Sequence, residues 1–127
     1  MIVPDNHPNP PDDREIEAAT ILAKYFNFIV EFIIPVDDYK RGTVDVLMNG
    51  AEWEIKTPDG LSRKYTIRDQ FSRATKQGAH NLVLDGRFTK LPDDFIIAKI
   101  QQELQHRRHI KKVLFITKSR EILAFSK

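Results

Sequence analysis

The segment TVDVLMNGAEWEIKT, Thr43 to Thr57, sets two alternating runs on either side of Asn49-Gly50. Asn-Gly tolerates the two positive φ angles of a type I′ turn, whose twist matches that of the strands it joins. A two-residue turn fixes the register by counting outward. Met48 then faces Ala51, Leu47 faces Glu52, Val46 faces Trp53 and Asp45 faces Glu54. Opposed residues share a face of the sheet, and faces alternate with period two. One face therefore carries Val44, Val46, Met48, Ala51, Trp53 and Ile55, and the other carries Asp45, Leu47, Glu52, Glu54 and Lys56. The first is wholly apolar and is expected to be core, Trp53 included.

The second face is the anomaly. Two carboxylates directly across a ladder, with β-carbons about 5 Å apart, repel each other unless something positive lies between them. A divalent cation with a preference for oxygen ligands is the natural remedy, Mg²⁺ above all, with Mn²⁺ or Zn²⁺ as other choices. Asp45 and Glu54 are thus expected to be metal ligands. Lys56, on the same face, is placed to orient or deprotonate a bound water or to stabilise charge on a phosphate. The plain alternative is a polar face turned to water, with Lys56 neutralising its neighbours. The predicted setting of this hairpin between two helices, in a domain with one sheet, weighs against it.

The rest of the chain supplies that setting. The first twelve residues hold four of the seven prolines and are expected to form an irregular arm. From Asp13 onward a single domain to residue 127 is expected, since 127 residues at 41% apolar can build one core and not two. Asp12 or Asp13 caps a helix running to about Phe26. FIVEFIIP, Phe28 to Pro35, reads as a strand stopped by proline, and VDDYKRG as a loop. After the hairpin and the loop PDGLSRKY, a second helix is predicted from Thr66 to about Gly78. Its start, Thr66-Ile67-Arg68-Asp69, resembles a capping box with Asp in place of Glu. Asn81 to Asp85 reads as a strand, Pro92 to about Arg108 as a helix, and KVLFIT with EILAFS as a closing hairpin. The order α-β-β-β-α-β-α-β-β predicts a mixed α/β fold, one central sheet with helices on its faces.

Composition excludes several chemistries. With no cysteine there is no disulfide, no thiol catalysis and no cysteine-bound zinc, which fits a reducing compartment. No apolar run reaches the roughly eighteen residues of a membrane span, and the N-terminus lacks the basic and apolar regions of a signal peptide. Neither membrane nor secretion is expected. From Lys99 to Lys127 there are eight Lys and Arg against two acids, which suits a phosphate-rich partner as well as a solvated surface. His106 and His109 sit among Arg107, Arg108, Lys111 and Lys112, cations that disfavour a metal there, and are read as part of this basic patch.

Asp45 on one strand and Glu54-Ile55-Lys56 on the next, after a helix and before a helix and a strand, resemble the PD-(D/E)XK nuclease superfamily over roughly Asp13 to Asp85. The resemblance implies an αβββαβ core of restriction-endonuclease type, with the last helix and hairpin as an elaboration. The wording DVLMNGAEWEIKTP, with EIEAATILA upstream and IRDQFSRATKQGAHNLVLD downstream, is most similar to the C-terminal tRNase toxin domains of contact-dependent growth inhibition systems. Carried onto this chain, the family pattern makes Asp45 and Glu54 metal ligands, Lys56 the completing catalytic group and the Ile55 backbone carbonyl a further ligand. Val44 stands where the motif name has proline.

Many relatives add a glutamate from the first helix. At 100° per residue Glu15 falls between Leu22 and Phe26 on the apolar arc and Glu17 falls on the polar wedge, so Glu15 is preferred. Its plain role is that of a first-turn acid favourable to the helix dipole. On the second helix Ile67, Phe71, Ala74 and Gly78 form a packing stripe. Gln70, Arg73 and Gln77 lie on the polar stripe beside it. The resembled fold borders its active site here, which implies contacts to the phosphates of nucleic acid or support for the lysine; ordinary boundary polarity is the plain alternative. The expected function is a metal-dependent endonuclease, on tRNA ahead of DNA. The resemblance further implies a cytoplasmic site of action and a cognate immunity protein. A DNA endonuclease, or a nucleic-acid-binding module without catalysis, are the alternatives.

Overall fold

The computed structural model describes residues 2–5, 11–27, 29–33, 46–61 and 63–127. In chain order these form helix α1 (Asp13–Phe26), strands β1 (Val30–Phe32), β2 (Val46–Met48) and β3 (Ala51–Lys56), helix α2 (Thr66–Lys76), strand β4 (Asn81–Asp85), helix α3 (Asp93–His106) and strands β5 (Lys112–Ile116) and β6 (Ile122–Ser126). This is the predicted order. The strands build one mixed sheet in sequence order. Pairing is antiparallel through β1, β2 and β3, parallel through β3, β4 and β5, and antiparallel again between β5 and β6. Parallel neighbours need a crossover, and α2 and α3 are those crossovers.

The hairpin has the counted register. Val46 pairs with Trp53, Leu47 with Glu52 and Met48 with Ala51. Asn49 and Gly50 take φ angles of 48° and 80°, as a type I′ turn requires. The next predicted pair, Asp45 with Glu54, lies outside the described residues, as do Val44 and the loop before it.

Each face of the sheet has its own apolar layer. On one, Ala18, Ala19 and Leu22 of α1 pack with Val46, Met48, Trp53, Ile55, Val83 and Ile116. On the other, Ile67, Phe71 and Ala74 of α2 and Ile96 and Ile100 of α3 pack with Leu82, Leu84, Val113 and Phe115. β4 is buried on both faces, which is why NLVLD reads as a nearly continuous apolar run and not as an alternation.

Two helix starts differ. At α1 the side chain of Asp12 accepts the Glu15 N–H at 2.8 Å, and Glu15 Oε1 accepts the Asp12 N–H at 3.3 Å, a full capping box. At α2 the expected box is absent. Tyr65 is the N-cap and no side chain caps the helix. Thr66 lies inside the first turn, so its hydroxyl closes the preceding turn by accepting the Arg63 N–H at 2.7 Å. The Asp69 N–H donates to the Tyr65 carbonyl. The arm, expected to be irregular, also joins the fold at one point. Ile2 donates to the Val30 carbonyl at 2.6 Å and accepts the Phe32 N–H at 2.8 Å, satisfying backbone groups on the edge strand β1.

Besides its apolar packing, α1 is tied to the sheet by a charge cluster at the end of β4, buried at Asp85 and Arg87. The Asp85 carboxylate, 0% exposed, receives Arg87 Nε at 2.9 Å and Nη2 at 2.8 Å. The same guanidinium donates to Glu17 at 2.9 Å and to the Arg14 carbonyl at 3.3 Å on α1. Its hydrogen bond to Asp85 outweighs the penalty of burial and holds the Arg87 pKa above its ordinary value, so the charge is permanent. Between the two residues, Gly86 donates to the Ile116 carbonyl at 2.9 Å. A Cβ on Gly86 would stand 2.4 Å from a ring carbon of Phe115. Glycine is required there by the close approach of β5.

Two stability predictions result, both read by chemical denaturation. Gly86→Ala is expected to cost about 1–3 kcal/mol by overpacking against Phe115, and an unchanged midpoint would contradict that contact. Arg87→Met leaves the buried Asp85 carboxylate without its forked partner and is expected to cost about 3–5 kcal/mol, with much of the loss recovered when Asp85→Leu is added. A loss of under about 1 kcal/mol for Arg87→Met would show that the pair does not tie α1 to the sheet.

Candidate active site

Alternation along β3 puts Trp53 and Ile55 under α1 and turns Glu54 and Lys56 to the opposite face. Parallel pairing sets Glu54 level with Leu82 and Lys56 level with Leu84, so both charged side chains share a face with the apolar layer beneath α2. Glu54 is 2% exposed. Burying a carboxylate among leucines is costly unless a partner answers it, and Lys56 does so, its Nζ 3.5 Å from Glu54 Oε1. The lysine side chain is 15% exposed, which leaves the ammonium at the boundary between core and solvent. A polar face turned to water, the plain alternative, does not describe β3. Only Glu52 on this face of the strand is exposed.

The polar stripe of α2 lies on the flank that points towards β3. Ser72 and the Arg68 carbonyl, on the other flank, both receive Arg107 from the end of α3. Counting 100° per residue from the buried Ile67, Phe71 and Ala74 places Gln70, Arg73 and Gln77 on the side away from α3. Gln70 and Gln77 are half-buried and Arg73 is exposed. The Gln77 Oε1 is buried and has no hydrogen-bond partner among the described residues.

The two glutamates of α1 exchange their expected prominence. Glu15, half-buried, takes part in the capping box, whereas Glu17 reaches across to Arg87 at the carboxyl end of β4. α1 packs on the face opposite Glu54 and Lys56, with its first turns at the end of the sheet where β4 leaves. His109 offers its carbonyl to His80 Nδ1 at 2.9 Å. Of the expected basic patch, Arg107 turns inward, to Glu103 at 3.4 Å and Ser72 at 2.9 Å, while Arg108, Lys111 and Lys112 are exposed.

The Asp85–Arg87–Glu17 cluster escaped the sequence reading because Asp85-Gly86-Arg87 looks like an ordinary turn after a strand. The usable signal was an acid at the end of an otherwise apolar central strand, which must be partnered if buried. For a divalent ion the described residues offer half of a site. Glu54 is a hard oxygen donor of the right kind, and Lys56 beside it suits a site that must also meet phosphate. No cluster of three His, Asp or Glu forms among the described residues. A second carboxylate would have to come from Asp45, which lies outside them.

No curated protein matches the chain. Among solved structures it is similar to the CdiA-CT/CdiI toxin and immunity complex from Burkholderia pseudomallei, at 21% identity and a TM-score of 0.71, with 100% of each chain covered. At that identity the likeness establishes a shared fold. Residues 41–122 match the contact-dependent growth inhibition CdiA C-terminal domain. That match takes in well over half of the chain, including the whole hairpin, α2, and the segment from β4 to the start of β6. The chain therefore belongs to the CdiA C-terminal toxin domain family of contact-dependent growth inhibition.

Proposed function

We propose that this toxin domain is a metal-dependent nuclease of PD-(D/E)XK type that hydrolyses phosphodiester bonds in RNA, tRNA before DNA. The observation that carries the reading is the buried Glu54 with Lys56 at 3.5 Å, on a strand whose hairpin register is the one such a site needs. Asp45 and Glu54 are the proposed metal ligands, with the Ile55 carbonyl beside them. Glu15, in the capping box of α1, is the proposed third acidic group. Mg²⁺ is the proposed ion; when bound, it would supply Lewis-acid charge to the phosphate and lower the pKa of water.

The chain's own residues then have distinct tasks. Glu54, fixed by the ladder to β4, holds Lys56 in one orientation. The Lys56 ammonium, at the edge of the core, donates to a phosphate oxygen as negative charge builds on it. That interaction is stronger in the transition state than in the ground state, which is the condition for accelerating the reaction. Gln70, Arg73 and Gln77, on the flank of α2 nearest β3, are proposed to contact the backbone of the nucleic acid. The domain is proposed to act in the cytoplasm of the target cell, with a cognate immunity protein that blocks the site, as the toxin and immunity pairing of the Burkholderia pseudomallei structure suggests.

The test is a panel of tRNA, single-stranded RNA and DNA oligonucleotides and plasmid, each with Mg²⁺ and with EDTA, and with cut ends sequenced. Cleavage of tRNA in Mg²⁺ that EDTA stops is expected. Lys56→Ala, Glu54→Gln and Asp45→Ala are each expected to lower it by at least about 100-fold while retaining the circular dichroism spectrum. Cleavage of plasmid alone would move the substrate to DNA. Full activity in all three variants, or in EDTA, would overturn the mechanism.

A further inference from the structure

The segment 57–65, which leads from Lys56 at the end of β3 into α2, ends on an aromatic ring that the fold does not use. Tyr65 is 52% exposed. The Arg68 guanidinium lies 4.5 Å from the centre of its ring and the Lys64 ammonium lies 5.5 Å from it. From Leu61 to Arg68 there are three cations, Arg63, Lys64 and Arg68, and no acid. The cations on the ring are exposed themselves, and the Arg68 guanidinium also meets the exposed Asp69, at 3.4 Å. Tyr65 also occupies the N-cap of α2 without making a cap hydrogen bond, a position where Ser, Thr, Asp or Asn would give a more stable helix. A residue that costs local stability and contributes little to the core is the pattern expected of a functional position.

Resting on the reading of this chain as a nuclease acting on RNA, we propose that Tyr65 is a stacking platform for an unpaired base of the substrate, with Arg63, Lys64 and Arg68 meeting the adjoining phosphates. An aromatic face suits any base, and flanking cations suit the strand that carries it. This is the combination by which single strands are held without sequence readout. The platform opens α2, nine residues after Lys56, and would hold an unstacked nucleotide there. It selects loops and single strands over duplex, in which the bases are already stacked.

The experiment uses the full chain carrying Lys56→Ala, so that nothing is cut. Fluorescence anisotropy then measures its affinity for a labelled single-stranded RNA and for an RNA duplex. Tyr65→Ala is expected to weaken single-strand binding about 5- to 100-fold, with little change on duplex, and Tyr65→Phe is expected to bind as the parent does. The dependence of affinity on salt should keep its slope in Tyr65→Ala. In Lys64→Ala that slope should fall by about 0.7, the share of one phosphate contact on a single strand. Tyr65→Asn provides a readout that a merely structural ring would not give. It should lose affinity as the alanine variant does, while its Tm is unchanged or rises by up to about 4 °C from the improved cap. Unchanged single-strand affinity in Tyr65→Ala, or an equal loss in Tyr65→Phe, would overturn the platform. If the chain with Lys56 intact cuts RNA in that case, the nuclease reading stands and the platform alone fails. If it neither binds nor cuts RNA, both fail.

Discussion

Asn49 and Gly50 take φ angles of 48° and 80°, and that pair of left-handed residues determines which way every side chain of β3 points. A slip of one residue would exchange the faces, sending Trp53 and Ile55 to the side of α2 and turning Glu54 under α1. With the observed register, the α1 layer closes over Val46, Met48, Trp53 and Ile55. Glu54 and Lys56 then form a charged pair on the face that carries Leu82, Leu84, Val113 and Phe115. The turn therefore decides both where the core is and which face carries the candidate site. Its apolar consequence enforces it, because the wrong register would take Trp53 and Ile55 out of the α1 layer and put Glu52, Glu54 and Lys56 into it.

The second constraint lies at the carboxyl end of β4. Gly86 lets the chain pass against β5, and Asp85 and Arg87 on either side of it bring α1 to the sheet through Glu17 and the Arg14 carbonyl. Fully buried ion pairs stabilise little in net terms, yet losing one partner is expensive. Such a pair is well suited to specifying how α1 docks, and with it the closure of the layer behind β3.

Much of this could be read from the chain alone. The element order, the mixed sheet, the hairpin register and the burial of Trp53 follow from periodicity, prolines and one Asn-Gly turn, all of which act over a few residues. The same local counting puts Glu54 and Lys56 on one face, as they lie in the fold. The readings that failed or were missed depend on contacts that local patterns do not carry. Arg87 meets Glu17 across 70 residues of sequence. Ile2 finds the edge of β1 only because β1 is an edge. The capping box expected at Thr66 yields to a start one residue earlier, at Tyr65, so that the threonine closes a turn outside the helix. Tyr65 itself carries no periodic signal, since it falls between a loop and a helix.

The central claim is that the hairpin builds one cation site from both of its strands. Calorimetric titration of the 127-residue chain with Mn²⁺ addresses it without reference to any substrate. One ion per chain is predicted, with binding lost or sharply weakened in both Asp45→Ala and Glu54→Gln and retained in Tyr65→Asn. Equal binding by the parent and by both carboxylate variants would contradict the account, because the ion would then be held by residues that the turn does not bring together.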